Sequence, residues 1–557
     1  MTSATVTFVG RFAVGLGTLV LLAGGGLAAA FFGAGAAGAA GTTSAAVSTT
    51  APATTTVSTA STVLAISGHG WGHGLGMSQW GAYGYAKHGW TYDKILAHYY
   101  LGTTLSTAKV KTVRVLVAQE KKATISSSAP WTVTDATGAK TTLDPGALAL
   151  TAKLRVTAAA NARAPLTFSS AQPLEVDGHA YRGRIVLSSD GQTVQAVNVV
   201  PLELYVKGVV PAEMPSGWSA EALKAQAVAS RSYALANLAK GKPFDLYGDT
   251  RSQVYGGVDA QVPSTDAAVD ATKGQVLTYN GKVADTLFFS TSGGRTASSL
   301  EATGVAVPYL VSVADPYDSL SPKHDWGPVL VDATKVAKQL KLAGTIEDVT
   351  ATNGASGRVK SLALTTDKED AVISGNAARA DLDLDSTWFT PALLQLLPTA
   401  KRMTYGGAAS LTGRLHGADA VTLESKAYGS AWTPAGPVVP SLAGTFSTIV
   451  KPQVTTSYRL AWGNLRAGLA KISVGARVTA TQSAAGVQVS IRPAAAGAPV
   501  QLQERQADGS WQTVSSTTAD ATGSASFAGA LAAGTYRVRA APGHGVFAGL
   551  SAPFDVQ

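Results

Sequence analysis

The sequence predicts an α+β chain, mostly β with a few helices, that ends in two small β-sandwiches. Three observations lead to that class. From Val113 to about Val200, short runs such as Val113-Arg114-Val115-Leu116-Val117, Ala147-Leu148-Ala149-Leu150-Thr151 and Gly183-Arg184-Ile185-Val186-Leu187 are separated by Gly, Asp, Asn and Ser turns, which is the pattern of short strands. A helical stretch from about Ala220 to Ala239 then breaks the β pattern, with Ser219 placed to cap its start and Gly241 beyond its end. Finally, the C-terminal region repeats itself. Val421-x-Leu423 leads to Trp432, Phe446 and Tyr458-Arg459, and Val500-x-Leu502 leads in the same order to Trp511, Phe527 and Tyr536-Arg537. Alternating strands with polar turns, repeated at that length, suggest two sandwiches with no catalytic constellation of their own.

The 557 residues are too many for one ordinary core, so the chain divides. No Asp, Glu, Lys or Arg occurs from Phe12 to Ala86. Within that span Phe12 to Ala40 is apolar and small, with A-x-A-like sites at Ala34-Gly35-Ala36 and Ala37-Gly38-Ala39, as in an export signal. Its length also suits a retained membrane anchor. Gly41 to Thr62 is dominated by Ser, Thr, Ala and Pro and reads as a tether. The expected order is signal or anchor over 1–41, tether over 42–62, one α+β domain over 63–400, and sandwiches over 401–475 and 476–557. The expected location is outside the cell or in its envelope, with membrane contact only if the first segment is retained. There is no cysteine, which removes disulfides and thiolate metal sites. The net charge of +9 is spread thinly, which suits an anionic envelope polymer, and no motif or basic stripe points to nucleic acid.

A short helix is expected from Trp90 to Tyr100, where Tyr92, Ile95, Leu96 and Tyr99 recur at helical spacing. In the longer helix, Leu223, Ala227, Ala234, Leu235 and Leu238 share one arc at 100° per residue, and Lys224 and Arg231 fall inside it. Arg231 on an apolar face needs a carboxylate, backbone carbonyls or a ligand oxygen; a structural ion pair is the simpler reading for Lys224.

Glu213 is the foremost chemical candidate. It lies in Val209-Val210-Pro211-Ala212-Glu213-Met214-Pro215, a carboxylate among apolar residues and two prolines. Desolvation disfavours the charged form and suits a carboxyl group to general-acid work. The plainer reading is an exposed turn carboxylate ahead of the helix. The segment Gly68-His69-Gly70-Trp71-Gly72-His73-Gly74-Leu75-Gly76-Met77-Ser78-Gln79-Trp80-Gly81 alternates glycine with functional side chains, allowing close approach of a ligand to the backbone. Two His four apart could begin a zinc site, but the glycines argue against the helix this needs and no nearby carboxylate completes the set. No metal and no cofactor is therefore expected. Two Gly-punctuated polar stretches, Asp249 to Gly257 and Phe288 to Gly294, could line a sugar site or be ordinary turns.

Together these segments resemble the SpoIID/LytB family, the sporulation stage II protein D and amidase-enhancer group of bacterial cell-wall proteins. The residues that carry the resemblance are the Gly-His segment, Gly89-Trp90-Thr91-Tyr92, His98 to Thr103, Asn198 to Pro215, Ala222 to Ala234, Ser252 to Gly257, Ser290 to Gly294 and Asp315-Pro316-Tyr317-Asp318, between about Val63 and Pro391. In the usual arrangement the Gly-His segment closes the domain; here it opens it, as in a circular permutation. Residues 68–81 are accordingly expected beside Leu382 to Phe389 and within reach of Glu213. Some relatives place a metal-ligand cysteine near the position of Gln253, which this chain lacks.

The resemblance implies a lytic transglycosylase that cuts peptidoglycan glycan strands stripped of stem peptides, with Glu213 as its acid. It also implies His73, Ser78, Gln79, Gln226, Arg231, Tyr233, Gln253, Tyr255, Ser290 and Thr291 as candidates for positioning the glycan, His73 and Gln79 foremost. One carboxylate suffices for that reaction, although Asp249, Asp315 or Glu203 could be brought near by the fold. The same domain also serves members that act on a cell-wall amidase as partner, and an inert wall-binding protein is a further alternative.

Overall fold

The computed structural model describes residues 56–109, 112–239 and 241–557. The expected export segment and most of the expected tether lie outside these residues. Thr56–Val57, at the tether's far end, pairs in parallel with Leu465–Arg466. The molecule is mostly β, with 44% strand and 16% helix. Its chain falls into two units, residues 74–321 and residues 56–73 with 322–557, so the span 63–400 expected as one domain is shared between them.

In the 74–321 unit the polypeptide from Thr112 to Pro201 builds most of two sheets. The larger orders its strands as 246–247, 112–120, 194–201, 184–189, 166–170, 131–134 and 140–143, antiparallel except at the short 246–247 edge. The smaller joins 179–181, 174–176, 122–127 and 146–151. Alternation drives this pairing: Val113, Val115, Ile185 and Leu187 are buried, whereas Arg114 and Val186 between them are partly exposed. Five helices carry the site: α1 (Gln79–Lys87), α2 (Tyr92–Tyr99), α3 (Leu202–Glu213), α4 (Ala220–Ala236) and α5 (Pro263–Ala271).

Two helical expectations are revised. The Ala220 helix is not amphipathic. Ala222, Leu223, Ala225, Ala227, Val228, Ala229, Ser230, Ser232 and Ala234 are all buried, so α4 is a central helix whose small side chains let neighbours close on it from several sides. It ends at Ala236, where Asn237 donates its side-chain amide to the Tyr233 carbonyl. Glu213, in turn, does not sit in a turn ahead of a helix. It is the last residue of α3, a helix that begins directly after the 194–201 strand. Pro211 stands in its last turn and cannot donate to the helical ladder, and the Met214 N–H to Val210 carbonyl bond closes the helix.

Arg231 joins α4 to α3. Its side chain is completely buried; Nη2 donates to Glu203 Oε2 at 2.8 Å, Nε to Glu203 Oε1 at 3.0 Å and Nη1 to the Gln275 carbonyl at 2.9 Å. Lys224 pairs with Glu221 at 2.7 Å, a local structural pair one turn away.

In the other unit, strand 62–69 lies between 325–332 and 389–395, antiparallel to both. Gly68 pairs with Phe389, Gly72 bridges Ser386, and the His69 N–H donates to the Trp388 carbonyl. Residues 68–72 thus lie beside 385–389, as expected for the start of the Gly-His segment.

The internal repeat is real in space. In its first copy Leu423 pairs with Leu460, and the Arg459 guanidinium lies 4.1 Å from the Trp432 ring; in its second Leu502 pairs with Val538, and Arg537 lies 4.2 Å from the Trp511 ring. The second copy packs a three-stranded and a five-stranded sheet around one core that includes Val487, Ile491, Leu502 and Val538. The first does not close at residue 401. Val63, Ala65, Ala392 and Leu394 belong to the same core as Leu411, Leu423 and Leu460.

Gly81 in α1 gives a sign test of the fold. Gly to Ala inside a helix ordinarily stabilises by about 1 kcal/mol. Here a methyl group would run into the Tyr99 hydroxyl and the Asp315 carboxylate, both fully buried. Gly81→Ala is expected to destabilise by about 1–3 kcal/mol instead, as measured by the denaturant midpoint of the full chain.

Candidate functional site

The Gly-His segment leaves strand 62–69 and passes through Gly70, Gly72, Gly74 and Gly76, all at positive φ. At Gly76 a side chain would also strike the Leu287 backbone, so the path there requires glycine. Met77–Ser78 then pairs in parallel with Phe288–Phe289, and α1 starts at Gln79. Ser78 caps it: Oγ accepts from the Gly81 N–H at 3.0 Å and donates to Asp318 Oδ1 at 3.0 Å. Asp318 also accepts from the Ser292 and Gly293 N–H groups, so one carboxylate ties the start of α1 to the 288–294 stretch.

This arrangement presents Gln79 to Glu213. Gln79 Nε2 donates to Glu213 Oε2 at 3.4 Å, at the long end of hydrogen-bond range, and the Val254 N–H donates to Oε1 at 3.2 Å. Each carboxyl oxygen thus has one uncharged donor, and among the described residues no cation pairs with Glu213. Glu213 keeps some exposed surface. Burial raises its pKa above the ordinary carboxylate value, and the two donors pull the other way without cancelling the rise. The end of α3 acts in the same sense as burial, because the negative pole of the helix disfavours a second negative charge.

Several expected site residues gather here. Gln253 precedes Val254 and is buried; its Oε1 accepts from the Tyr205 hydroxyl at 3.0 Å, while its Nε2 has no partner among the described residues. Tyr233 is half-buried, and its hydroxyl is pushed up to about 12 by burial, then by the nearby charges of Asp285 and Glu213. Ser290 is half-buried, and its carbonyl accepts from the Trp80 N–H at 3.0 Å.

Other expected positioning residues are committed to the fold. Arg231 is sealed against Glu203 and offers nothing to a ligand. Tyr255 is buried and donates to Asn198 Oδ1 at 2.8 Å, Thr291 bonds Ser321 at 2.8 Å, and Ser78 is the helix cap. Gln226 is buried, with Nε2 on Ser230 and Oε1 unpartnered among the described residues. His73 is half-buried and ends the first segment of the other unit. The three further carboxylates considered from sequence also have separate partners: Asp249 with Arg251, Glu203 with Arg231, and Asp315 with Tyr99.

The residues present do not fit a metal near Gln253. That position is a buried amide, the chain has no cysteine, and among the described residues no three His, Asp or Glu side chains converge.

Tyr83 and Trp218 lie outside the candidate site residues read from the sequence, and Trp80 entered only as part of the Gly-His segment. Their signal was proximity along the chain, since Trp80 follows Gln79 and Trp218 stands five residues after Glu213.

Residues 190–279, which span the end of the large sheet, α3, α4, α5 and the Gln253 loop, match the family described as Stage II sporulation protein, SpoIID. The chain carries a SpoIID/LytB-family domain. It is 35% identical to the amidase enhancer of Bacillus subtilis over 29% of its own length and 22% of that protein, and 37% identical to stage II sporulation protein D of the same organism over 23% and 43%. An uncharacterized protein of Brachyspira hyodysenteriae is 40% identical over 27% and 41%. The chain spans less than half the length of each of these relatives. Among solved structures, a cytokine receptor complex is 20% identical and matches 28% of the chain and 92% of its own at a TM-score of 0.18, which carries no argument.

The pKa shifts set a pH dependence. Burial, then the like charge of Asp318, lifts Asp315 to about 7, and Glu213 is raised by burial. A carboxyl group raised in the folded state binds its proton more tightly there than in the unfolded chain. Its stabilisation is complete below the unfolded value and is lost as pH rises through the folded one. Chemical unfolding followed by tryptophan fluorescence is therefore expected to show a lower midpoint at about pH 8 than at about pH 5. Glu213→Gln and Asp315→Asn should each shrink that difference, and Glu213→Gln should be more stable than wild type at neutral pH.

Proposed function

We propose that this protein is a secreted peptidoglycan lytic transglycosylase that cleaves MurNAc–GlcNAc linkages in peptide-stripped glycan strands and leaves 1,6-anhydro-MurNAc ends. The observation that carries this reading is the setting of Glu213: a carboxyl group whose pKa is raised by burial, held by two uncharged donors, with no cation paired to it among the described residues. Relatives named stage II sporulation protein D and amidase enhancer support a cell-wall setting.

In the proposed reaction Glu213 gives its proton to the glycosidic oxygen as the bond from that oxygen to C1 breaks. Positive charge builds on the sugar ring, and the muramoyl C6 hydroxyl oxygen closes on C1. The hydroxyl proton passes to the Glu213 carboxylate, which restores the acid. No water is consumed, so the paired carboxylates of a hydrolase are not needed. Gln79 and the Val254 N–H suit both half-reactions: they steady the carboxylate when it forms, yet leave it basic enough to recover a proton because neither carries charge. An arginine in their place would hold the carboxylate ionised.

The second reading is a non-enzymatic modulator of a cell-wall amidase. It is favoured by the match to the protein named amidase enhancer. Export, or retention in the envelope by the N-terminal segment, belongs to both readings.

Mass spectrometry of peptide-free glycan strands after incubation separates them. Wild type is expected to produce anhydro-muramoyl ends, and Glu213→Gln to lose at least about 100-fold in rate, as for removal of a general acid. Reducing ends would mean hydrolysis with a further acidic residue. Absence of products from a folded protein that binds glycan would favour the amidase modulator.

A further inference from the structure

We infer that Trp80, Tyr83 and Trp218 form a stacking subsite for a pyranose ring of the glycan, adjoining Glu213. The inference deepens the proposed function and rests on it for the identity of the sugar polymer.

The geometry begins with two chain segments joined at both ends. At one end Gln79 reaches Glu213. At the other, Trp80, the next residue after Gln79, meets Trp218, which stands in the turn that leaves Glu213; their ring centroids are 4.8 Å apart at 63°. Tyr83, one helical turn beyond Trp80, stacks on Trp218 with centroids 4.6 Å apart and planes at 16°, and lies 6.1 Å from Trp80 edge to face. The three rings therefore belong to the same pair of segments that hold the acid.

Tyr83 and Trp218 pack against the core of this unit without being enclosed by it. Other large aromatic residues of this unit, such as Tyr99, Tyr100 and Tyr205, are completely buried, whereas Trp80, Tyr83 and Trp218 each keep exposed surface. Three adjacent aromatics left partly in water represent apolar area that burial would otherwise stabilise, which is the mark of a surface kept open for a partner. The backbone that carries them is also tied down. The Trp80 backbone N–H bonds the Ser290 carbonyl at 3.0 Å, the Trp218 backbone N–H closes its turn on the Pro215 carbonyl at 3.0 Å, and Ser264 Oγ, on α5, donates to the Ser216 carbonyl at 2.8 Å. A preorganised aromatic surface loses little entropy when a ligand lands on it.

A pyranose ring fits this chemistry. Its axial C–H groups make an apolar face that packs flat on an aromatic ring, while its hydroxyls remain free for donors at the rim. Ring stacking needs no charge, in keeping with a cluster that contains none. A polymer whose glycosidic oxygen lies at Glu213 extends in both directions from that bond, and the aromatic cluster would carry a neighbouring sugar.

The test is binding of peptide-free glycan strands to the full chain in a Glu213→Gln background, by calorimetry, with unfolding midpoints measured alongside. Trp218→Leu is expected to weaken binding at least about tenfold, the equivalent of about 1.4 kcal/mol, and Trp218→Phe to recover most of it. In chain that retains Glu213, Trp218→Leu should raise KM more than it lowers kcat. Unchanged binding in Trp218→Leu overturns the subsite. So does a loss that follows a fallen unfolding midpoint and is not recovered by Phe, because the rings would then be only a clasp between α1 and the turn. A wild type that binds glycan through Trp218 but cleaves nothing would sink the transglycosylase reading and leave the subsite standing.

Discussion

The buried ion pair between Arg231 and Glu203 is the constraint on which the site depends. It connects the central helix α4 to the first turn of α3, and α3 ends at Glu213. A guanidinium with no exposed surface cannot be left unpaired; losing one partner of such a pair typically costs about 3–5 kcal/mol. Glu203 also accepts from the Gly274 N–H, and Arg231 donates to the Gln275 carbonyl, so the strand after α5 is tied to the same point. The charges are used to fix the position of a helix, and the helix fixes the position of an acid.

A second device works in the middle of α3. Gly208 lies where a side chain would collide with the Tyr255 ring. Tyr255 can then cross the helix and bond Asn198, whose amide in turn donates to the Arg182 and Arg184 carbonyls. This network orders the loop that delivers the Val254 N–H to Glu213. Gln79 arrives from a different direction, on a helix whose start is fixed by Ser78 and Asp318. Glu213 is therefore gripped by uncharged groups from two independently braced segments, which keeps a proton-favouring environment without making the carboxyl group loose.

Much of the central fold was legible because its signals are local. Alternation in Val113–Val117 and Gly183–Leu187 reports strands, since side chains on a pleated strand change face at every residue. The helical spacing of Tyr92, Ile95, Leu96 and Tyr99 likewise reports α2. The repeat of Trp432 with Arg459 and Trp511 with Arg537 was visible as spacing, and became a pair of ring–guanidinium stacks only in space. The reading of α4 as one-sided failed because periodicity cannot distinguish an alanine facing water from one facing another helix. The plainer reading of Glu213 as an exposed turn carboxylate fails because Pro211 is tolerated in a final helical turn, and Glu213 ends that helix.

The sequence by itself determined the residue types that make the chemistry feasible: an acid among apolar neighbours, glycines that let the 70–76 segment bend, and an arginine in need of a partner. It also determined the absence of thiolates. Tertiary structure alone decided which polar residues face the acid and which are bound into the scaffold. Arg231, Tyr255, Thr291 and Ser78 stood beside the favoured Gln79 as candidates in the chain, yet each of these four found a partner within the fold, and of the five Gln79 reached Glu213. The physical reason is that a buried polar group must be satisfied by something, and whether that something is the protein or a ligand depends on contacts many residues away along the chain.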